Sequence, residues 1–317
     1  MPLHATRRAW LGALPLVVAL PGAGMLSAAR AQPAVPVPRT EQRTLRGPSG
    51  EYRILIGRPT GEPPATGWPV LYLLDGNAFF ATAYDAVLSQ GQHSDVTGVA
   101  PALVVGIGYP TDGLLDLRRR ALDYTPALPR GAAAGGAAAS PDGSRTGGAD
   151  AFLDFVEGTL KPAINRDFPA DPARQALFGH SYGGLCALHA LFTRPAAFRD
   201  FLAVSPSIWF GDLAVLAGEG ELPARLAGLA PPRGVFIAVG GAEQAPPEAG
   251  QDQPGADTRA ARRDRRAMVD NARALAGRLA TVPGLRAAFV LAEGENHASV
   301  VPTVLSRALR FALAPPG

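Results

Sequence analysis

The sequence predicts an α/β fold: one eight-stranded, mostly parallel sheet with helices on both faces. Three observations carry this prediction. Short continuous apolar runs, such as Val70-Leu-Tyr-Leu-Leu74 and Ala102 to Ile107, mark strands buried on both faces. These runs alternate with stretches of helical periodicity, as the crossovers of a parallel sheet demand. The polar motifs gather where strands end, which is where such sheets bind ligands.

Taken in order, the chain opens its fold with a hairpin. Gln42 to Arg46 and Glu51 to Arg58 are β runs around the turn cluster Gly47-Pro-Ser-Gly50. A proline-rich loop leads to the buried strand Pro69–Leu74, then Asp75-Gly76-Asn77 and a helix from Phe79 to Leu88. The strand Ala102–Ile107 ends in Gly108-Tyr109. Thr111 to Gly148 reads as loop, and its Gly/Ala/Ser-rich tract Gly131–Gly148 has too little apolar surface to fold alone, so a mobile flap is expected. Phe152, Phe155, Val156, Leu160 and Ile164 make Ala149–Arg166 an amphipathic helix. Further strands follow at Gln175–Phe178, Phe201–Ser205, Gly234–Val239 and Leu285–Leu291. Helices are expected after Ser181, over Thr258–Ala280 and over Ser299–Leu313, with a Pro/Gly loop at Ala245–Asp257.

The first 31 residues read as a leader and not as fold. Thr6-Arg7-Arg8-Ala9-Trp10-Leu11 is a twin-arginine pattern, an apolar stretch broken by Pro15 and Pro21 follows, and Ala29-Arg30-Ala31 fits cleavage before Gln32. The expectation is export by the twin-arginine machinery, a periplasmic or secreted mature protein, and no stable membrane anchor. Residues 32–317 then form one domain. The leader holds Arg7, Arg8 and Arg30 and no acid, so its removal leaves 27 basic against 27 acidic residues. The basic character of the precursor therefore gives no support to a nucleic-acid partner. Cys186 is the single cysteine, so no intrachain disulfide can form.

The most informative stretch is Gly179-His-Ser-Tyr-Gly183, lying between an apolar run and a helical pattern. A G-x-S-x-G motif in strand–turn–helix context exposes the serine on a strained turn, at the positive end of a helix. Ser181 is thus the candidate acyl-transfer nucleophile; a bystander serine in a glycine-rich turn is the bland alternative, against which both flanks weigh. The glycines flanking the serine are expected where a Cβ would clash. The mature chain offers four histidines as base. His93 lies in a polar loop, His180 should point away from the hydroxyl, and His189 lies on an apolar helix as a core residue. His297 follows the last strand, as the chain order serine, acid, histidine requires. The acid is Glu243, after the strand Gly234–Val239, or Asp212 after the preceding one. An oxyanion hole needs two N–H donors: Tyr182 is one, and the Gly76-Asn77 turn after the third strand supplies the other. Arg118, Arg119 and Arg120 precede the expected flap and are read, with Tyr109, as substrate contacts; Trp209 fits an aromatic pocket or the core. No metal or cofactor motif appears.

Val70-Leu-Tyr-Leu-Leu-Asp-Gly-Asn77, Ile107-Gly-Tyr109, Asp123-Tyr-Thr-Pro126, Gly179-His-Ser-Tyr-Gly-Gly184, Ser205-Pro-Ser-Ile-Trp209 and Asn296-His297 carry a resemblance. From about Tyr52 onward, the chain resembles the esterase-D-like α/β hydrolases. More closely, it is similar to the periplasmic trilactone siderophore esterases of the salmochelin/enterobactin type. The resemblance implies the α/β-hydrolase fold and ester hydrolysis through an acyl-serine, with Ser181 and His297 carried over by motif. It also implies cleavage of catecholate macrolactones, with basic residues near the site meeting an anionic ferric complex. Some relatives work as Ser–His dyads, which leaves the need for Glu243 open. The other enzyme reading is a broad carboxylesterase or acyl-transferase on small esters.

Overall fold

The computed structural model describes residues 36–128, 143–244, 260 and 264–315. Pro38–Gly317 forms one compact unit around a single eight-stranded sheet. Strands β1 (Thr40–Gly47) and β2 (Gly50–Gly57) make the expected hairpin, with Leu45 opposite Tyr52. Next come β3 (Trp68–Leu74), β4 (Leu103–Gly108), β5 (Ala170–His180), β6 (Asp200–Val204), β7 (Arg233–Gly240) and β8 (Leu285–Ala292). The spatial order is β1-β2-β4-β3-β5-β6-β7-β8, antiparallel through the first three positions and parallel from β4 to β8. The fold is that of the α/β hydrolases.

The pleat sorts side chains onto two cores, because successive residues of a strand face opposite ways. Along β3, Val70, Tyr72 and Leu74 join one core and Leu71 and Leu73 the other. The first core is covered by Ala149–Phe155, Tyr182–Thr193 and Met268–Leu279; the second by Gly76–Gly91 and Val300–Ala312. Burial on both faces explains why these strands read as unbroken apolar runs.

Several elements differ from the sequence expectation, among them the following. Leu117–Asp123 is a helix inside the expected loop, capped by the Asp116 carboxylate on the Arg119 N–H. Its buried residues are Arg120, Ala121 and Asp123, so it shows no apolar stripe to detect. The amphipathic helix runs Ala149–Phe155 and Lys161–Asp167 with a π turn at Val156–Leu160 between them. Leu222–Leu226 is a short helix that was not expected. The helix expected over Thr258–Ala280 is helical at 260 and 264–266, breaks at Ala267 with φ 41°, and resumes as Met268–Leu279. The expected leader, most of the Gly/Ala/Ser-rich tract and the whole loop Ala245–Asp257 lie outside the described residues.

Three neighbouring strands are each followed by a residue of positive φ. The first residue beyond β3 is Asp75, beyond β5 Ser181 and beyond β6 Ser205, with φ of 53°, 61° and 44°. Residues other than glycine adopt this region only when their surroundings compel it. All three lie at the carboxyl end of the parallel sheet, where the sequence motifs were expected to meet.

Gly158 offers a contrast inside the π turn. It is exposed and a Cβ there would meet nothing within 4 Å. Gly158→Ala should stabilise by about 0.4–1 kcal/mol through the unfolded chain, raising Tm by roughly 1–4 °C. A calorimetric scan checks this; a lowered Tm would show that the π turn needs the glycine.

Candidate active site

The turn at Ser181 is set by backbone contacts. The chain leaves β5 at His180, and Ser181 takes φ 61° and ψ −118°. Its N–H donates to the Val204 carbonyl at 3.0 Å, and its own carbonyl accepts from Leu185 at 2.9 Å and Ser207 at 3.1 Å. Gly179 is required here: a Cβ would lie 2.1 Å from the Gly183 carbonyl oxygen. The second flanking glycine is not required in the same way, since a Cβ at Gly183 would stand in ordinary contact, 3.4 Å from Leu74 Cβ and 3.5 Å from Asp75 Oδ2. Those two distances also place the start of the Tyr182–Thr193 helix directly beside the end of β3.

His297 and Glu243 arrive from the two strands nearest the far edge. The Asn296 side chain accepts from the N–H groups of Ala298 and Ser299, so the loop after β8 is wound tightly around its histidine. His297 Nδ1 lies 2.6 Å from Glu243 Oε2. The other carboxylate oxygen, Oε1, accepts from Ser205 Oγ at 2.5 Å and from the Gly240 N–H at 2.8 Å. Glu243 is therefore gripped on both oxygens, with its side chain 2% exposed against 45% for the His297 ring. Burial pushes the Glu243 carboxyl up. The hydrogen bond and charge of His297, with Ser205 and the Gly240 N–H, outweigh it and hold the group below the usual glutamate range. Of the two acids weighed from sequence, Glu243 holds the ring, while Asp212 is exposed at φ 54°.

The imidazole of His297 rests on that of His180, with ring centroids 4.5 Å apart. His180 thus packs against His297, a contact its place in the sequence did not show. Burial first, then the neighbouring His297 and Arg120, push its pKa down to about 3. It is a neutral ring against which the base packs. His189, as expected, is a buried histidine of the helix, 2.8 Å from Asp150 Oδ1.

The two expected oxyanion donors, Tyr182 and Gly76, are each the first residue of a helix and each follow a positive-φ residue. A Cβ at Gly76 would fall 2.6 Å from the Gly106 carbonyl carbon, so glycine lets this turn lie against β4. The Asn77 side chain is committed elsewhere. Its Nδ2 donates to the Tyr109 and Thr111 carbonyls, and its Oδ1 accepts from the Tyr109 N–H. Only the backbone of Asn77 remains for an anion.

The three arginines separate. Arg118 is exposed and Arg119 half-buried, and both line a cleft of about 710 Å³ with Ser49, Leu122, Ser144 and Arg145. Arg119 also lies over the Tyr52 and Tyr109 rings at 4.9 and 4.6 Å. Arg120 corrects the expectation of a substrate contact: it is 6% exposed and forms a two-pronged ion pair with Asp75. Tyr109 is corrected likewise, being 2% exposed with its hydroxyl donating to Asp123 at 3.1 Å. Trp209 is half-buried, 6.2 Å from the Tyr182 ring, with the Arg266 guanidinium 4.6 Å above it. The sequence reading assigned no role to Ser205; its place directly after a strand, before Pro206, was the available signal.

The pH dependence of stability follows from Glu243. Its folded pKa is lowered, so its contribution is complete above the unfolded value of about 4.3. That contribution is lost as pH falls through the lower folded value. Glu243→Gln should therefore lower the urea midpoint at pH 7 and lower it progressively less below about pH 4. A penalty that stayed constant from pH 7 to pH 3 would contradict the assignment.

Comparison with known proteins agrees with this architecture. The family described as "Putative esterase" matches residues 47–219. The ferri-bacillibactin esterase BesA of Bacillus subtilis is 39% identical over 292 residues, covering 90% of this chain and 93% of that protein. The siderophore triacetylfusarinine C esterase of Aspergillus fumigatus is 39% identical over 290 residues, covering 87% of this chain and 93% of its own. The crystal structure of the BES protein from Bacillus cereus superposes with a TM-score of 0.75 at 39% identity, over 89% of this chain and 97% of that one.

Proposed function

The chain belongs to this esterase family, and on that premise we propose that it hydrolyses the ester bonds of siderophores through an acyl-serine intermediate. The observation that carries the mechanism is the 2.6 Å contact of His297 Nδ1 with a buried, doubly anchored Glu243, beside the strained turn of Ser181. Ser181 Oγ attacks the ester carbonyl and His297 takes its proton. His297 then returns that proton to the leaving alcohol and later activates the water that frees the acid. Glu243 accepts from Nδ1–H, which leaves Nε2 as the basic nitrogen and stabilises the imidazolium. The tetrahedral oxyanion is met by N–H groups at the starts of the two helices, from Tyr182 and from the Gly76-Asn77 turn.

The substrate follows from the relatives' names and from charge. Arg118, Arg119 and Arg145 line the cleft, and Arg118 has no acidic partner among the described residues. Such a cleft suits an anionic ligand such as a ferric catecholate. Trp209 is assigned to the wall of the acyl pocket. The twin-arginine leader motif supports a periplasmic or secreted site of action.

The test compares kcat/KM on a ferric catecholate trilactone, its iron-free form and a short aryl ester. Ser181→Ala and His297→Ala are expected to lose about 10⁴-fold or more in kcat on every substrate, and Glu243→Gln roughly tenfold to a hundredfold less than that. A strong Ser181-dependent preference for the trilactone supports the siderophore assignment. Activity on the aryl ester alone would replace it with a general carboxylesterase. Transfer of the acyl group to an added alcohol in preference to water would make the enzyme an acyl-transferase.

A further inference from the structure

We infer that Arg120 is a positioning residue that ties the two halves of the oxyanion site together, an assignment that rests on the acyl-serine reading above. One guanidinium spans both. Its Nε donates to Asp75 Oδ1 at 3.0 Å and its Nη2 to Asp75 Oδ2 at 2.9 Å, while Nη2 also donates to the His180 carbonyl at 3.2 Å. Asp75 immediately precedes Gly76, and His180 immediately precedes Ser181 and Tyr182. The residues that must present their N–H groups to one oxygen are thus each one or two peptide units from the same cation.

The surroundings hold that cation still. The Arg120 guanidinium lies 5.5 Å from the Tyr182 ring centroid and 5.8 Å from that of Tyr124. The Tyr124 hydroxyl in turn accepts from the Asp75 N–H at 3.1 Å, so the turn after β3 is held by side chain and backbone together. The short helix Leu117–Asp123 that carries Arg120 is fixed at its start by Asp116 and near its end by Asp123, which accepts from Ser49, Tyr52 and Tyr109. Asp75 and Arg120 are 1% and 6% exposed, which removes the pair from water and from competing ions. The Arg120 bonds and the Tyr124 hydroxyl together surround Asp75 at its left-handed φ of 53°. Donors aimed at a developing charge act through small displacements, so loosening either turn costs rate more than substrate affinity.

Lysine separates the roles, because a single ammonium keeps the charge but lacks the planar fork that reaches both partners. Asp75→Asn is the companion variant, keeping Arg120 and its bond to His180. Each purified variant is examined by amide hydrogen exchange and by steady-state kinetics on an aryl acetate. Arg120→Lys is expected to raise exchange about tenfold or more in both 75–79 and 180–184, leaving 233–240 unchanged. Its kcat should fall about 10–100-fold with KM within threefold of wild type. Asp75→Asn should loosen 75–79 alone, and it decides the matter if Arg120→Lys does not fold. Exchange unchanged in both turns with kcat within twofold, or acceleration spread evenly over the sheet, would overturn the inference. Loss of Ser181-dependent hydrolysis from the wild type would sink the acyl-serine reading by itself, while the exchange pattern would still decide the clamp.

Discussion

The site depends on how three adjacent strands are made to stop. Asp75, Ser181 and Ser205 each leave the sheet with positive φ, and none is a glycine. Such a conformation costs on the order of 1–3 kcal/mol per residue, so something must hold each one in place. Ser181 is pinned by hydrogen bonds to Val204, Leu185 and Ser207; Asp75 by Arg120 and Tyr124; Ser205 by its N–H to Ala238 and its hydroxyl to Glu243. Glycine would adopt these turns more easily. The three positions carry side chains because each side chain is used: one as the proposed nucleophile, one to hydrogen-bond Glu243, one to pair with Arg120.

Burial then sorts the charges. Glu243 is hidden and held by three partners, while the His297 ring it contacts is nearly half exposed. The ring beside His297 is His180, whose burial, with His297 and Arg120 nearby, pushes its pKa down to about 3. Arg120 and Asp75 cancel each other within the core, and the cationic surface is left to Arg118 and Arg119 at the cleft. An arginine run that looks uniform in sequence therefore divides into a buried tie and two surface groups within three consecutive positions.

The fold was legible because it is written in continuous apolar runs and in the punctuation of strand ends. Val70–Leu74 and Gly234–Val239 needed only their apolar continuity, and the placing of Ser181, Glu243 and His297 after β5, β7 and β8 needed only the topology. The Leu117–Asp123 helix was not legible, because it buries an arginine and an aspartate whose partners are tens of residues away. The same holds for Ser205, which lies 38 positions from the glutamate it contacts. The contact of His180 with His297 was not legible either: the alternation of a strand predicts which face a residue points to, but not that a loop from β8 will fold over it. Long-range polar pairing leaves no periodic trace, and it is what completes this site.

The central claim is that ester cleavage passes through a covalent bond to Ser181. Quenched-flow mixing with a slowly deacylating aryl ester, followed by intact-mass and peptide mass spectrometry, tests it most directly. The account predicts a burst of released phenol approaching one equivalent per chain and an acyl adduct confined to the peptide containing Ser181. Turnover without a burst or adduct under conditions where acylation outpaces deacylation, or an adduct on any other residue, would contradict it.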